Sequence, residues 1–147
     1  MADYYASTRT NYFAVTDEDK FRQVMAKCVG SGDSVEVFEQ HCKSTGVTLF
    51  CFGCQSTISG LRVATDEDDD SWDDCDIDAF YEALQGLVVE GDAIIITEVG
   101  YEKLRYLAGI STIITHSEIR VVNLRDKALN EARAMLGNSD YDTQMEY

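Results

Sequence analysis

The chain has 147 residues, of which 45% are hydrophobic and 27% charged, and its formal net charge is −15. That length suits one domain with a real core, and the composition excludes a disordered chain. A surface this acidic repels nucleic acid and anionic membrane, and no apolar run reaches the roughly 18 residues of a membrane span.

In chain order, Asn11–Val15 is aromatic and β-branched and reads as a strand. Thr16 with Asp19 resembles a capping box, and Phe21, Val24, Met25 and Cys28 then recur at helical spacing until Gly30 and Gly32. Residues 35–40 and 47–52 form two strand patterns joined through Lys43-Ser44-Thr45-Gly46, the layout of a hairpin. Ile77, Phe80, Tyr81, Leu84, Leu87 and Val88 share one helical face, with Asp76 as the N-cap and Gly91-Asp92 as the break. The apolar run Ala93–Val99 reads as a central strand covered on both faces. Short strands follow at 104–107, 112–115 and 119–124, with Gly109 and His116-Ser117 as turns. A last helix, Arg125–Leu136, stops at Gly137-Asn138.

Most links between strands are too short for crossover helices. The expected fold is therefore α+β: a largely antiparallel sheet with about three helices packed on it, in a single domain.

The charge is concentrated. Residues 63–102 contain 14 acids and no Lys or Arg, while the other 13 acids nearly balance the 12 bases. Segment 64–78 reads as an exposed loop or insert whose partner-binding candidates are Asp66, Glu67, Asp68, Asp69, Asp70, Trp72, Asp73, Asp74, Asp76 and Asp78. A charge run is most often a solvated face. Crowding nine acids into the thirteen residues from Asp66 to Asp78 costs about 1 kcal/mol per neighbouring pair in water, less with salt, and scattered charges would keep the protein soluble more cheaply. Successive residues of an extended chain advance about 3.3 Å, close to the roughly 3.4 Å rise per phosphate in one DNA strand, so the tract can imitate nucleic acid in a basic groove. Trp72 then serves either as an anchor in that interface or as a residue folded back onto the core.

Other motifs are weaker. Asp66-x-Asp68-x-Asp70 opens like a calcium loop, but Ser71 replaces the turn glycine and Ile77 stands where the bidentate Glu belongs. Cys51-Phe52-Gly53-Cys54 is a CxxC that does not open a helix, and His41 and Cys42 are adjacent, which hinders a four-ligand zinc site. His116 with Glu118 and a serine lacks any nucleophile-elbow context, and Gly30-Ser31-Gly32 is too short for a phosphate loop. Tyr4, Tyr5, Tyr12 and Phe13 near Arg9 suit an N-terminal strand packing aromatics better than a nucleic-acid stacking surface. No cofactor and no metal is expected. Five cysteines, with no basic-then-apolar leader at Met1–Tyr5, point to reduced thiols in a cytoplasm.

Thr8-Arg9-Thr10-Asn11-Tyr12-Phe13, Glu102-Lys103-Leu104-Arg105-Tyr106 and Ala134-Met135-Leu136-Gly137-Asn138 resemble segments of small acidic proteins of bacterial phages and conjugative elements. The resemblance implies an anti-CRISPR or other anti-defence setting inside a bacterial host cell, and it carries no functional residue across. The expected role is a non-enzymatic inhibitor whose partner is a basic nucleic-acid-binding protein such as a host nuclease effector. The alternative is an accessory protein of a mobile element acting through a homodimer or other protein contacts, with the acidic segment only solvated.

Overall fold

The structure is a computed structural model that describes residues 4–31, 34–62, 75–104 and 106–144. Among these the elements run β1 (Tyr5–Thr10), α1 (Glu18–Ala26), β2 (Cys28–Gly30), β3 (Glu36–His41), β4 (Thr48–Cys54), β5 (Ile58–Arg62), β6 (Cys75–Asp76), α2 (Ile77–Gln85), β7 (Ile94–Glu102), β8 (Tyr106–Ile114), β9 (Ile119–Asn123) and α3 (Leu124–Leu136). A six-stranded sheet has the order β3-β4-β1-β7-β8-β9, and a small sheet has the order β2-β5-β6. All the pairings are antiparallel, which makes the fold α+β with three helices among the described residues. The β3–β4 hairpin is the one expected from residues 35–52. None of the helices among the described residues is long and apolar enough to cross a membrane.

The core lies on one face of the large sheet. Phe50, Phe52, Ile94, Ile96 and Ile114 point to that side and meet Phe21 and Met25 of α1 and Phe80 and Leu84 of α2. The rings interlock: Phe21 and Phe50 lie 4.8 Å apart, and Phe52 meets Phe80 at 5.7 Å and Phe13 at 6.0 Å, both edge-on. Helix α1 begins at Asp17, whose carboxylate accepts from the Lys20 amide, so Thr16 is not the cap. That helix ends at Ala26, and Gly30 belongs to β2. Asp76 caps α2 as expected by accepting from the Ala79 amide, but α2 stops at Gln85, and Leu87 and Val88 bury themselves in the turn beyond it. Gly137 closes α3 in the left-handed conformation, φ 62°.

The first strand is Tyr5–Thr10, not Asn11–Val15. Only its inward residues Thr8 and Thr10 are buried, so it has little of the apolar signal of a strand. Thr8 donates to the Ser56 carbonyl, and the Thr10 hydroxyl accepts from the Phe52 amide. At Asn11 the ladder passes to a side chain, whose amide donates to the Ala93 carbonyl and accepts from the Ile95 amide. The chain then leaves β1 and drives Phe13 into the core. Phe13 and Phe50 exchange both backbone hydrogen bonds there.

Two further expectations change. Residues 104–107 and 112–115 belong to one strand, β8, and Gly109 lies within it opposite Val99. A Cβ there would sit 3.1 Å from Leu124 Cδ2, so the glycine leaves room for the Leu124 side chain, and it makes no turn. The turn is at Lys103, whose φ is 49°. In the acidic segment, Cys75–Asp76 pair with β5 and Ile77–Asp78 open α2, so its last four residues are regular structure and not loop. Asp66, Glu67, Asp68, Asp69, Asp70, Trp72, Asp73 and Asp74 lie outside the described residues.

Gly60 holds the two ends of this region together. Its φ is +119°, and a Cβ would fall 2.5 Å from the Asp76 carbonyl carbon and oxygen. Gly60→Ala therefore combines backbone strain with a backbone clash and is expected to cost about 2–4 kcal/mol, read as a lower urea midpoint at unchanged m-value. A loss below about 0.5 kcal/mol would show that β5 and β6 part easily.

Candidate protein-docking surfaces

The acidic segment is tied down at both ends. The described chain stops at Arg62 and resumes at Cys75, and these two residues are register partners in the β5–β6 pair. At its C-terminal end and one turn further on, the exposed residues Asp78 and Glu82 stand four apart on one side of α2. Among the described residues, neither carboxylate has a hydrogen-bond or ion-pair partner. The carboxylates of Asp76, Asp92 and Glu98 have structural work: Asp76 caps α2, Asp92 accepts from the Ala14 and Ala93 amides, and Glu98 accepts from the Tyr4 hydroxyl at 2.9 Å. Burial, with this bond to Glu98, pushes the Tyr4 phenol up to about 12. Three described arginines pair with acids outside residues 63–102: Arg22 meets Glu18, Asp19 and Glu39, Arg120 meets Glu118, and Arg125 meets Asp126.

A second surface is not apparent from the sequence. Helices α1 and α2 cover only the core face of the large sheet, and among the described residues α3 reaches the other face only through Leu124 over β8. Registers across β1, β7, β8 and β9 place its side chains in rows. Tyr5, Tyr101 and Leu107 make the first, with the two tyrosine rings 5.8 Å apart. Ser7, Val99 and Gly109 make the second, where Leu124 of α3 lies over Gly109. Arg9, Thr97, Ser111 and Val122 make the third, with the Thr97 and Ser111 hydroxyls 2.8 Å apart. Val99 is 61% and Leu107 68% exposed. Helix α3 buries no residue, and its Met135 is 87% exposed. Beside β1, residues including Arg9, Tyr12, Glu36 and Phe38 line an open groove of about 470 Å³. Tyr12 reaches the Cys51 thiol, a hydrogen bond that raises the phenol's pKa.

The run Ala93–Val99 thus appears as a strand covered on one side only. Ile94 and Ile96 are buried, whereas Ile95, Val99 and Tyr101 face outward. Of the N-terminal aromatics only Phe13 enters the core, and Tyr4, Tyr5 and Tyr12 remain on the surface.

The weaker motifs are pulled apart by the fold. Cys51 and Cys54 are three residues apart on β4 and so point to opposite sides, while His41 and Cys42 lie at the other end of the hairpin, where His41 pairs with Thr48. Among the described residues, no group of three or more His, Cys, Asp or Glu is placed to hold a metal ion. His116 stands 3.9 Å from Glu90 at the surface, and Glu118 is bound to Arg120, so the two do not join with a serine.

Cys42 differs from the other thiols. It is exposed, and hydrogen bonds, first from the Ser44 hydroxyl at 3.2 Å and then from Thr45, hold its pKa down to about 6. Cys28, by contrast, is pushed up to about 12, mainly by burial. The thiolate is the nucleophile, so alkylation of Cys42 by iodoacetamide should rise as pH passes upward through about 6 and then level off. Ser44→Ala should move that midpoint upward, toward the ordinary thiol value of about 8.5. A wild-type midpoint above pH 8, seen by mass spectrometry of the labelled peptide, would contradict the hydrogen-bond account. No family model matches the chain, and neither a curated protein nor a solved structure matches it.

Proposed function

We propose that the protein is a non-enzymatic anti-defence inhibitor, anti-CRISPR-like, that lays its acidic segment 64–78 into a basic nucleic-acid-binding site of a host nuclease complex. One observation carries the reading: 40 consecutive residues, 63–102, hold 14 acids and no base, and the arginine ion pairs described above all go to acids outside that window. Carboxylates such as those of Asp78 and Glu82, which have no partner among the described residues, are available to a partner's Lys and Arg.

The physics is that of a phosphate backbone. A channel built for nucleic acid carries cations at phosphate spacing, and a dense row of carboxylates satisfies them without offering a scissile bond. Asp78 and Glu82 continue the anionic surface from the segment onto the first turns of α2. Pairing of Arg62 with Cys75 keeps both ends of the segment at one place on the body, which lowers the entropy lost on docking.

Binding to a basic nuclease effector should weaken steeply with salt, by about 10³ between 50 and 200 mM if six or more cationic contacts form. Replacing Asp66, Glu67, Asp68, Asp69, Asp70, Asp73 and Asp74 by the corresponding amides should abolish both the binding and its salt dependence, measured by calorimetry alongside a nuclease assay. Trp72→Ala should cost about 2 kcal/mol if the indole is an anchor. Full inhibition by the folded amide variant would defeat the reading.

A further inference from the structure

The open face of the large sheet carries an inference that does not depend on what the acidic segment binds. Strand β7 has the composition of a strand covered on both sides, with Ile94 and Ile96 inward and Ile95, Val99 and Tyr101 outward, yet α1 and α2 cover only the inner side. A layered fold normally meets each apolar sheet face with a second layer. We propose that this second layer is another copy of the same chain, docked face to face over Tyr5, Val99, Tyr101 and Leu107, with Leu124 of α3 at its shoulder.

Charge selects the occupant. On the outward positions of β1, β7, β8 and β9 the charged residues are Arg9 and Arg120, and Arg120 is already paired with Glu118. The acids of β7, Glu98 and Glu102, fall on the opposite face by strand alternation. A basic partner would therefore find little to attract it here, whereas two copies of a −15 chain meet with least repulsion through their nearly neutral face. Arg9 and Glu36 lie in one row on either side of Gly53. A two-fold axis through this face would set Arg9 of one copy within reach of Glu36 at the margin of the other, an opposite-charge pair repeated by the symmetry.

Size is adequate. With Ile95, Ile113 and Arg120 as a fourth row, the outward positions of β1, β7, β8 and β9 number thirteen, and at about 4.8 Å between strands and about 6.8 Å between rows they span a flat area of about 400 Å². Side-chain relief and the α3 shoulder bring this toward the roughly 800 Å² per partner of a stable interface. Two twisted sheets would stack about 10 Å apart, their strands crossing at about 30°.

Sedimentation velocity of the full chain tests this. A dimer is expected, and its fraction should grow as salt rises from about 50 to about 500 mM, because screening removes the repulsion between copies. That is the opposite of the salt response expected of the acidic segment, so the two proposals fail separately. Val99→Asp and Leu107→Asp should each raise the dimer dissociation constant at least about tenfold while leaving the circular dichroism spectrum unchanged. If either variant misfolds, Val99→Ser and Leu107→Asn provide the same readout with a milder change. A wild type that stays monomeric at about 100 µM in high salt overturns the proposal and leaves the face to a different protein. A dimer that folded variants leave intact overturns it equally.

Discussion

Phe52 is the point at which the layers of this protein are joined. Its ring, without solvent exposure, meets Phe13 from the segment after β1 and Phe80 from α2, each edge-on. Phe50, two residues earlier on the same strand, receives Phe21 of α1 and carries the Arg22 guanidinium 5.4 Å from its ring centre. Both helices are therefore seated on β4 through aromatic pairs, α2 edge-on and α1 through a tilted pair, a geometry that rewards one orientation beyond the area it buries. The Phe13–Phe50 backbone pair locks the crossing segment against that strand. Everything else in the fold is arranged around this one-sided core.

One-sidedness has a cost. A sheet with two apolar faces, α1 and α2 on one and only the start of α3 reaching the other, leaves Val99, Tyr101 and Leu107 in contact with water. Contiguous apolar surface of that kind on a folded protein usually marks an interaction site. Exposed aliphatic residues on α3 adjoin it through Leu124, so the patch extends from the sheet to the helix.

Charge is sorted as carefully as hydrophobicity. Glu98 and Glu102 share the inner face of β7, where Tyr4 crosses over Gly100 to reach Glu98 and packs against Tyr106. Any side chain on Gly100 would collide with the Tyr4 ring, so that glycine makes the crossing possible. The outward face of the same strand is free of acid. Anionic and apolar surfaces thus stay apart, and each can serve a partner of its own chemistry.

Local signals determined a good deal. Alternation and turn residues specified the β3–β4 hairpin, Asp76 and Gly137 marked helix ends through capping chemistry that acts over three or four residues, and the short connections required antiparallel pairing. The charge asymmetry, too, is a property of the chain itself. What periodicity could not reveal were features set by distant neighbours. Tyr5–Thr10 is a strand because β4 and β7 flank it, though its buried residues are threonines. Gly109 is a strand residue because it pairs with Val99 of β7, although a glycine between apolar stretches reads as a turn. Above all, the run Ala93–Val99 is equally apolar whether one face or two is covered. Only the packing of α1 and α2 on a single side of the sheet decided that, because burial depends on what the rest of the chain can reach and not on the strand's own residues.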